Sequence, residues 1–421
     1  MKILILTVGS RGDVQPYVAL GAGLQAAGHA VTLATLAAFA PMAVERGLGF
    51  QPLRGEFLEL LQTPQGKAAL VGKGNPLALL RQVAPMLRRI LDDALAASED
   101  AELVLYHPKA LAGYSIAEKL GIPGILALPL PLYSPTAAFP SPILPMANLG
   151  PVLNRLSHRV MVRLATASVR GIVNRWRKET LELPPVRDEL TLHGRPLLRL
   201  YGYSPAVLPT PADWDEHSVA TGYWFLERSQ EWEPPASLLA FLAAGPPPVY
   251  VGFGSMPTQD AARTTRTVLA ALERAGQRGV LATGWGGLAA SDLPSSVYLL
   301  DEAPHDWLFP QMAAVVHHGG AGTTAAGLRA GRPTVICPFF GDQPFWGRRV
   351  AALGAGPQPI PQLRLTAEAL SAAIQAAVCD PSMRARAEEL GAAIRAEDGV
   401  SQAVARIEAH VAQSSSKVML S

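Results

Sequence analysis

One run of residues narrows the fold more than any other. His317-His318-Gly319-Gly320-Ala321-Gly322-Thr323-Thr324 follows the short apolar stretch AAVV and continues into TTAAGLRAG. AAVV reads as a buried strand, and TTAAGLRAG as a helix closed by Gly331. The glycines therefore occupy a strand-to-helix turn, a unit of open α/β sheets. Such a turn lets backbone approach a ligand closely and points free N–H groups and the positive end of a helix dipole at an anion. His318 and the hydroxyls of Thr323 and Thr324 add donors for the same oxygens, a set suited to a diphosphate. The competing reading is a Gly-rich turn that serves only tight α/β packing. After the next strand-like run, PTVICP, comes Gly341-Asp342-Gln343. This places a carboxylate and an amide at the same sheet edge, where open α/β folds bind ligands. The pair suits sugar hydroxyls, which both donate and accept. Its alternative is helix capping before Pro344.

The rest of the chain agrees with a doubly wound α/β protein. KILILTVG, PYVALGAGLQAAG and HAVTLAT form a strand–helix–strand opening, and AELVLYH, LAGYSIAEKLG and GIPGILAL repeat it. A second series, VYVGFGS, GVLATGW, VYLLDEA, AAVVHHG and PTVICP, follows a polar, proline-bearing stretch. At 421 residues the chain exceeds what one core usually holds. The expected organisation is a Rossmann-like domain over 1–222, a linker over 223–248, a second such domain over 249–395 and a closing segment over 396–421. Residues Pro129 to Pro151 are apolar but too proline-rich for a regular element. They read as an irregular connector or as the wall of a greasy acceptor cavity.

Hydrophobic residues make up 49% and charged residues 17% of the chain, which favours large buried sheets over disorder. A net charge of +2 leaves no nucleic-acid footprint. RQVAPMLRR and VNRWRK, the densest basic stretches, read as solvated helix faces. Cys337 and Cys379 build no disulfide framework and fit a reducing cytoplasm. The N-terminus runs straight into a strand and lacks a cleavage signal, and no apolar run approaches about 20 residues. The expectation is a soluble cytoplasmic protein, at most peripheral to a membrane.

The stretch Asp301 to Gly356 closely resembles the donor-binding box of family 1 glycosyltransferases, in particular the sterol 3-beta-glucosyltransferase branch. The loop GSRGDVQP, Gly9 to Pro16, resembles the opening loop of that branch and of bacterial antibiotic glycosyltransferases. The resemblance implies GT-B architecture, with two Rossmann-like domains facing across a cleft and a last helix, roughly GVSQAVARIEAHVA, returning to the first domain. It makes Asp13 the catalytic base, though capping of the following helix is the plainer reading of an aspartate there. Ser10 and Arg11 fall beside the diphosphate or the sugar, and Ser255 becomes a phosphate donor. Ala303-Pro304-His305 brackets the nucleoside, Trp285 stacks near the base, and His318, Gly320, Gly322, Thr323, Thr324, Asp342 and Gln343 complete the donor site. Phe339, Phe340, Phe345 and Trp346 either shape the sugar pocket or belong to the core.

Asp213-Trp214-Asp215 matches the D-x-D pattern of metal-dependent transferases, but its polar setting reads as a solvated turn. His317 and His318, adjacent on a strand, face opposite ways, so no metal ion is expected. The implied reaction is inverting transfer of glucose from UDP-glucose, a co-substrate rather than a cofactor, to a hydroxyl of a sterol-like acceptor by a monomeric enzyme. A natural-product tailoring transferase using a TDP-sugar is the alternative; a nucleotide-sugar epimerase and a silent binding module come from other classes.

Overall fold

The computed structural model describes residues 1–55, 76–146, 148–186, 188–229, 231–254, 261–283 and 293–418. Two all-parallel sheets organise them. The first contains β1 (Lys2–Leu6), β2 (Ala30–Leu36), β3 (Gly49–Leu53), β4 (Leu103–Tyr106) and β5 (Gly124–Leu128). After a small hairpin of β6 (Thr191–Leu192) and β7 (Arg195–Pro196), β8 (Leu198–Tyr201) and β9 (Ser218–Ala220) complete it in the order β3-β2-β1-β4-β5-β8-β9. The second holds β10 (Val249–Gly252), β11 (Gly279–Ala282), β12 (Val297–Leu300), β13 (Ala314–His317) and β14 (Thr334–Ile336), ordered β12-β11-β10-β13-β14.

Both orders reverse direction at one point, between β1 and β4 and between β10 and β13. Connections there leave toward opposite faces and open a crevice at the carboxyl ends. Leu6 pairs with Tyr106 at the first point, and Gly252 with His317 at the second. The central strands are apolar because helices cover both faces. Ile3, Leu4, Ile5 and Leu6 are all buried, as are Val315 and Val316.

Three features differ from the sequence reading. The stretch expected as linker contains the helix Ala236–Ala243, whose Leu238 is buried with Tyr250, Val280 and Leu308, so half of it belongs to the second domain's core. VNRWRK is no solvated face. Trp176 and Arg177 are fully buried; the Trp176 indole donates to Asp92 at 2.8 Å, and Arg177 pairs with Glu118 at 2.9 Å. Asp213 and Asp215 are structural. Asp213 accepts from Thr136 Oγ1 (2.7 Å), Ala137 N (2.9 Å) and Arg155 (2.8 Å), stapling the proline-rich segment to the long helix Pro151–Trp176. Burial alone would raise its carboxyl, yet these donors hold it at about 2. Asp215 receives the buried Arg199 at 2.6 Å.

The domains meet through packing as well as through the chain. Tyr203 lies against Trp346 and Phe139 against Phe345, with centroids 6.4 and 5.7 Å apart. The helix Gly399–Val418 lies on the helix Arg11–Ala26, where a methyl on Gly23 would meet Val400 Cγ1 at 2.3 Å. The chain passes between domains twice, and the two crossings touch. Gly222 (φ +95°) has room for no side chain, since a methyl there would stand 3.0 Å from Gly399 Cα. One on Gly399 would lie 2.4 Å from the Tyr223 carbonyl oxygen.

Candidate active site between the two sheet crevices

Asp13 sits in the first turn of the helix Arg11–Ala26, just past the end of β1. Its Oδ2 accepts from the Ser10 backbone N–H at 2.9 Å and from the Ser10 hydroxyl at 3.0 Å. The capping geometry is therefore real. The other oxygen is free of it: Oδ1 takes Lys109 Nζ at 2.6 Å, with His107 Nε2 at 3.9 Å. Burial pushes this carboxyl up, but Lys109, His107 and Ser10 together hold it below the ordinary aspartate range. Capping thus occupies Oδ2 and leaves Oδ1 to Lys109 and His107. The loop also needs Gly9, whose φ of +147° and missing Cβ leave space for the carboxylate; a methyl would stand 2.2 Å from Oδ2.

Lys109 and His107 were missed in the sequence. The readable signal was HPK directly after the strand pattern AELVLY: β4 borders β1 across the reversal of strand order, so residues following β4 must face those following β1. His107 Nδ1 accepts from Lys109 N at 3.0 Å, and its buried ring is pushed down to about 4, chiefly by burial. It is therefore neutral at pH 7 and fixes the turn that presents Lys109.

In the second crevice the helix Ala321–Arg329 starts at Gly320 with no side-chain cap, leaving its first N–H groups for a ligand. The His318 ring fills the space beside two glycines. A methyl on Gly320 would stand 2.5 Å from its Nε2, and one on Gly254 3.1 Å from its Cε1. Burial lowers His318 to about 4, and its Nδ1 has no partner among the described residues. The Thr324 hydroxyl is likewise buried without a partner, while Thr323 is half-buried beside it and Gly322 is open. Unsatisfied buried polar atoms are rare in native proteins, and here they gather at one helix start. His317 faces the other way: its Nδ1 accepts from Gly319 N at 2.9 Å inside the core.

Asp342 projects toward the first domain. Its Oδ2 accepts from Trp346 Nε1 at 2.9 Å; burial raises the carboxyl, which also feels Lys109 and Asp13 across the cleft. Gln343 is tied to its own loop. Its buried amide oxygen accepts from Phe339 N (2.8 Å) and Phe340 N (3.4 Å), so it shapes the loop that presents Asp342. His305 stacks flat on Phe309, with centroids 4.2 Å apart, next to half-buried Ala303, and burial, helped by Arg11, lowers it to about 4. Arg11 bridges the cleft to Glu302. Ser255 and Trp285 lie outside the described residues.

The chain matches the glycosyltransferase family 28 N-terminal domain over residues 3–139 and the erythromycin biosynthesis protein CIII-like C-terminal domain over 281–409. It is 39% identical to the sterol 3-beta-glucosyltransferase UGT80B1 of Arabidopsis thaliana, over 98% of this chain and 68% of that protein. It is also 39% identical to a sterol 3-beta-glucosyltransferase of Emericella nidulans, of which it spans only 30%. Among solved structures, the glycosyltransferase of kitacinnamycin superposes with a TM-score of 0.72 at 24% identity, covering 97% and 98% of the two chains. That likeness is one of fold, two Rossmann-like domains in the GT-B arrangement.

Proposed function

The chain belongs to the sterol 3-beta-glucosyltransferase family and is a GT-B glycosyltransferase; from that membership we propose that it transfers glucose from UDP-glucose to a hydroxyl of a sterol-like acceptor. One observation carries the reading. A carboxylate oxygen of Asp13 faces, across one cleft, a helix start with an unpartnered histidine nitrogen and threonine hydroxyl. The first takes the proton of the attacking alcohol, and the second receives the charge of the departing diphosphate. Attack opposite the leaving group inverts an α donor to a β-glucoside. Transfer in this scheme proceeds without a metal ion, because neutral donors and the helix dipole meet the diphosphate. Mixing the protein with UDP-glucose or TDP-glucose and a panel of sterols and polyphenols, then following nucleotide release and product mass, tests it. Sterol glucoside formed from UDP-glucose is expected. Sugar isomerisation without acceptor, or preference for TDP-glucose and a polyphenol, would replace the reading.

The acceptor side is built from the long helix Pro151–Trp176. Its inner face lines a cavity of about 70 Å³, with Tyr106, Pro108 and Leu126 opposite. Pro108 stands between His107 and Lys109, the residues at the Asp13 carboxylate. On the outer face Leu153, Leu156, Val160 and Leu164 form a stripe at helical spacing, each between 41% and 62% exposed. Arg159 and Arg163 are exposed between this stripe and the second cavity, which they also line, and make no ion pair with described residues. An apolar stripe edged with cations fits an anionic lipid surface, from which a sterol would enter, whereas a second copy of the helix would bring like charges together. No helix among the described residues is long and apolar enough to cross a membrane. Co-flotation with vesicles containing phosphatidylserine is expected, with loss in a Leu156→Glu/Leu164→Glu double variant. Absence of flotation, or flotation unaffected by the substitutions, would remove this surface from the proposal.

A further inference from the structure

Resting on the glucosyl-transfer reading, we infer that the acceptor cavity holds a second polar recognition point, made by the Glu189 carboxylate with the Tyr106 and Tyr133 hydroxyls. It takes a neutral hydroxyl of the acceptor other than the one that receives glucose.

The cavity is apolar along Leu126, Val169, Val173 and Val186, and its polar groups fall into two sets. Most are already used by the protein. Tyr114 donates to the Thr191 carbonyl at 2.8 Å, Thr166 to that of Val162 at 3.0 Å, and Arg170 to that of Val186 at 2.9 Å. The Asn174 side-chain oxygen accepts from Val186 N at 3.2 Å, and Ser115 from Arg177 at 2.9 Å. The Tyr106 and Tyr133 hydroxyls and the Glu189 carboxylate, in contrast, have no hydrogen-bond partner among the described residues, although they lie close enough to influence one another. Glu189 also lines a neighbouring, larger cavity of about 220 Å³ that shares Tyr133, Thr166 and Arg170, so it stands where the two spaces meet.

A half-buried carboxyl left unpaired is costly, and burial accordingly pushes Glu189 up, with Arg170 opposing. A ligand hydroxyl relieves this by donating to the carboxylate and accepting from a tyrosine. An ammonium group is disfavoured because Arg170 lines the same space. None of the three groups contacts Asp13, so the subsite acts on acceptor choice and not on proton transfer.

The full-length enzyme is compared with Glu189→Leu, Glu189→Gln and Tyr133→Phe, using a sterol mono-ol and matched diols with the second hydroxyl on ring D or on the side chain. Wild type should show a KM for its preferred diol about tenfold or more below that for the mono-ol. Glu189→Leu should abolish that preference by raising the diol KM, leaving kcat, the mono-ol KM and UDP-glucose affinity unchanged; Glu189→Gln should retain part of it. A preference that survives Glu189→Leu, or equal losses on mono-ol and diols, overturns the subsite. Calorimetric binding of sterane alcohols lacking the 3-hydroxyl separates this from the transfer reading. Affinity that distinguishes wild type from Glu189→Leu supports the subsite even with no turnover of any acceptor, an outcome that would instead sink the transferase assignment. Equal affinity overturns the subsite even if transfer is efficient.

Discussion

Asp13→Asn is expected to lower kcat for glucosyl transfer by about 10²–10⁴-fold, the usual worth of a positioned general base. The folded protein should persist, because an amide oxygen still accepts the Ser10 N–H that the carboxylate accepts now. UDP-glucose affinity should change little, since the carboxylate belongs to the opposite domain from the anion-binding turn. Lys109 separates the base role from capping. Because it holds the Asp13 carboxyl low, the wild-type base stays ionised well into acid, and the acidic limb of the rate profile lies below the ordinary aspartate range. Removing that charge in Lys109→Met raises the Asp13 pKa, so the limb moves to higher pH. A stronger base at neutral pH partly offsets the lost positioning. Stopped assays of kcat against pH for the three proteins read both effects. An unchanged kcat in Asp13→Asn would remove this residue from the chemistry, and an unmoved limb in Lys109→Met would remove the ion pair.

His318→Ala is expected to cost about 10²–10³-fold in kcat, comparable with loss of one preorganised donor to a developing anion. Its ring is neutral, lowered to about 4 by burial, so it offers a hydrogen bond rather than a charge. Its contribution should therefore be flat across neutral pH. Gly320→Ala provides the complementary test, because its methyl would press 2.5 Å from Nε2 and displace an imidazole that is still present. Both variants should weaken product inhibition by UDP along with turnover. Inhibition by UDP equal to wild type in both would place the diphosphate elsewhere.

Donor-side features were readable in the sequence because they are local. In HHGGAGTT the strand, turn and helix start are consecutive, and their chemistry follows from spacing alone. For Asp13 the local sequence pointed to helix capping, which its Oδ2 does perform, and only the family resemblance singled it out as a base. Lys109 reaches it from 96 residues away, and nothing local marks that contact. The long helix Pro151–Trp176 escaped notice for a different cause. The face that lines the cavity mixes valines with Thr166, Arg170 and Asn174, and apolar residues recur on the face that looks outward, so no single stripe emerges. Strands β8 and β9 are only 4 and 3 residues long and follow irregular chain, too short to carry a period. The tie of Gln343, from its amide oxygen to its own loop, was not legible, because an amide beside a carboxylate looks the same in sequence whether or not it also holds the backbone around it.

The contact of Gly222 with Gly399 has a mechanical consequence. Two separate tethers spaced apart would clamp the halves rigidly, and a single tether would let them wander. Two tethers pinned together at one spot behave like a gate hung on a single post. Any relative turning of the halves would pivot at that spot. A bulkier residue at either glycine would act as a wedge in the hinge.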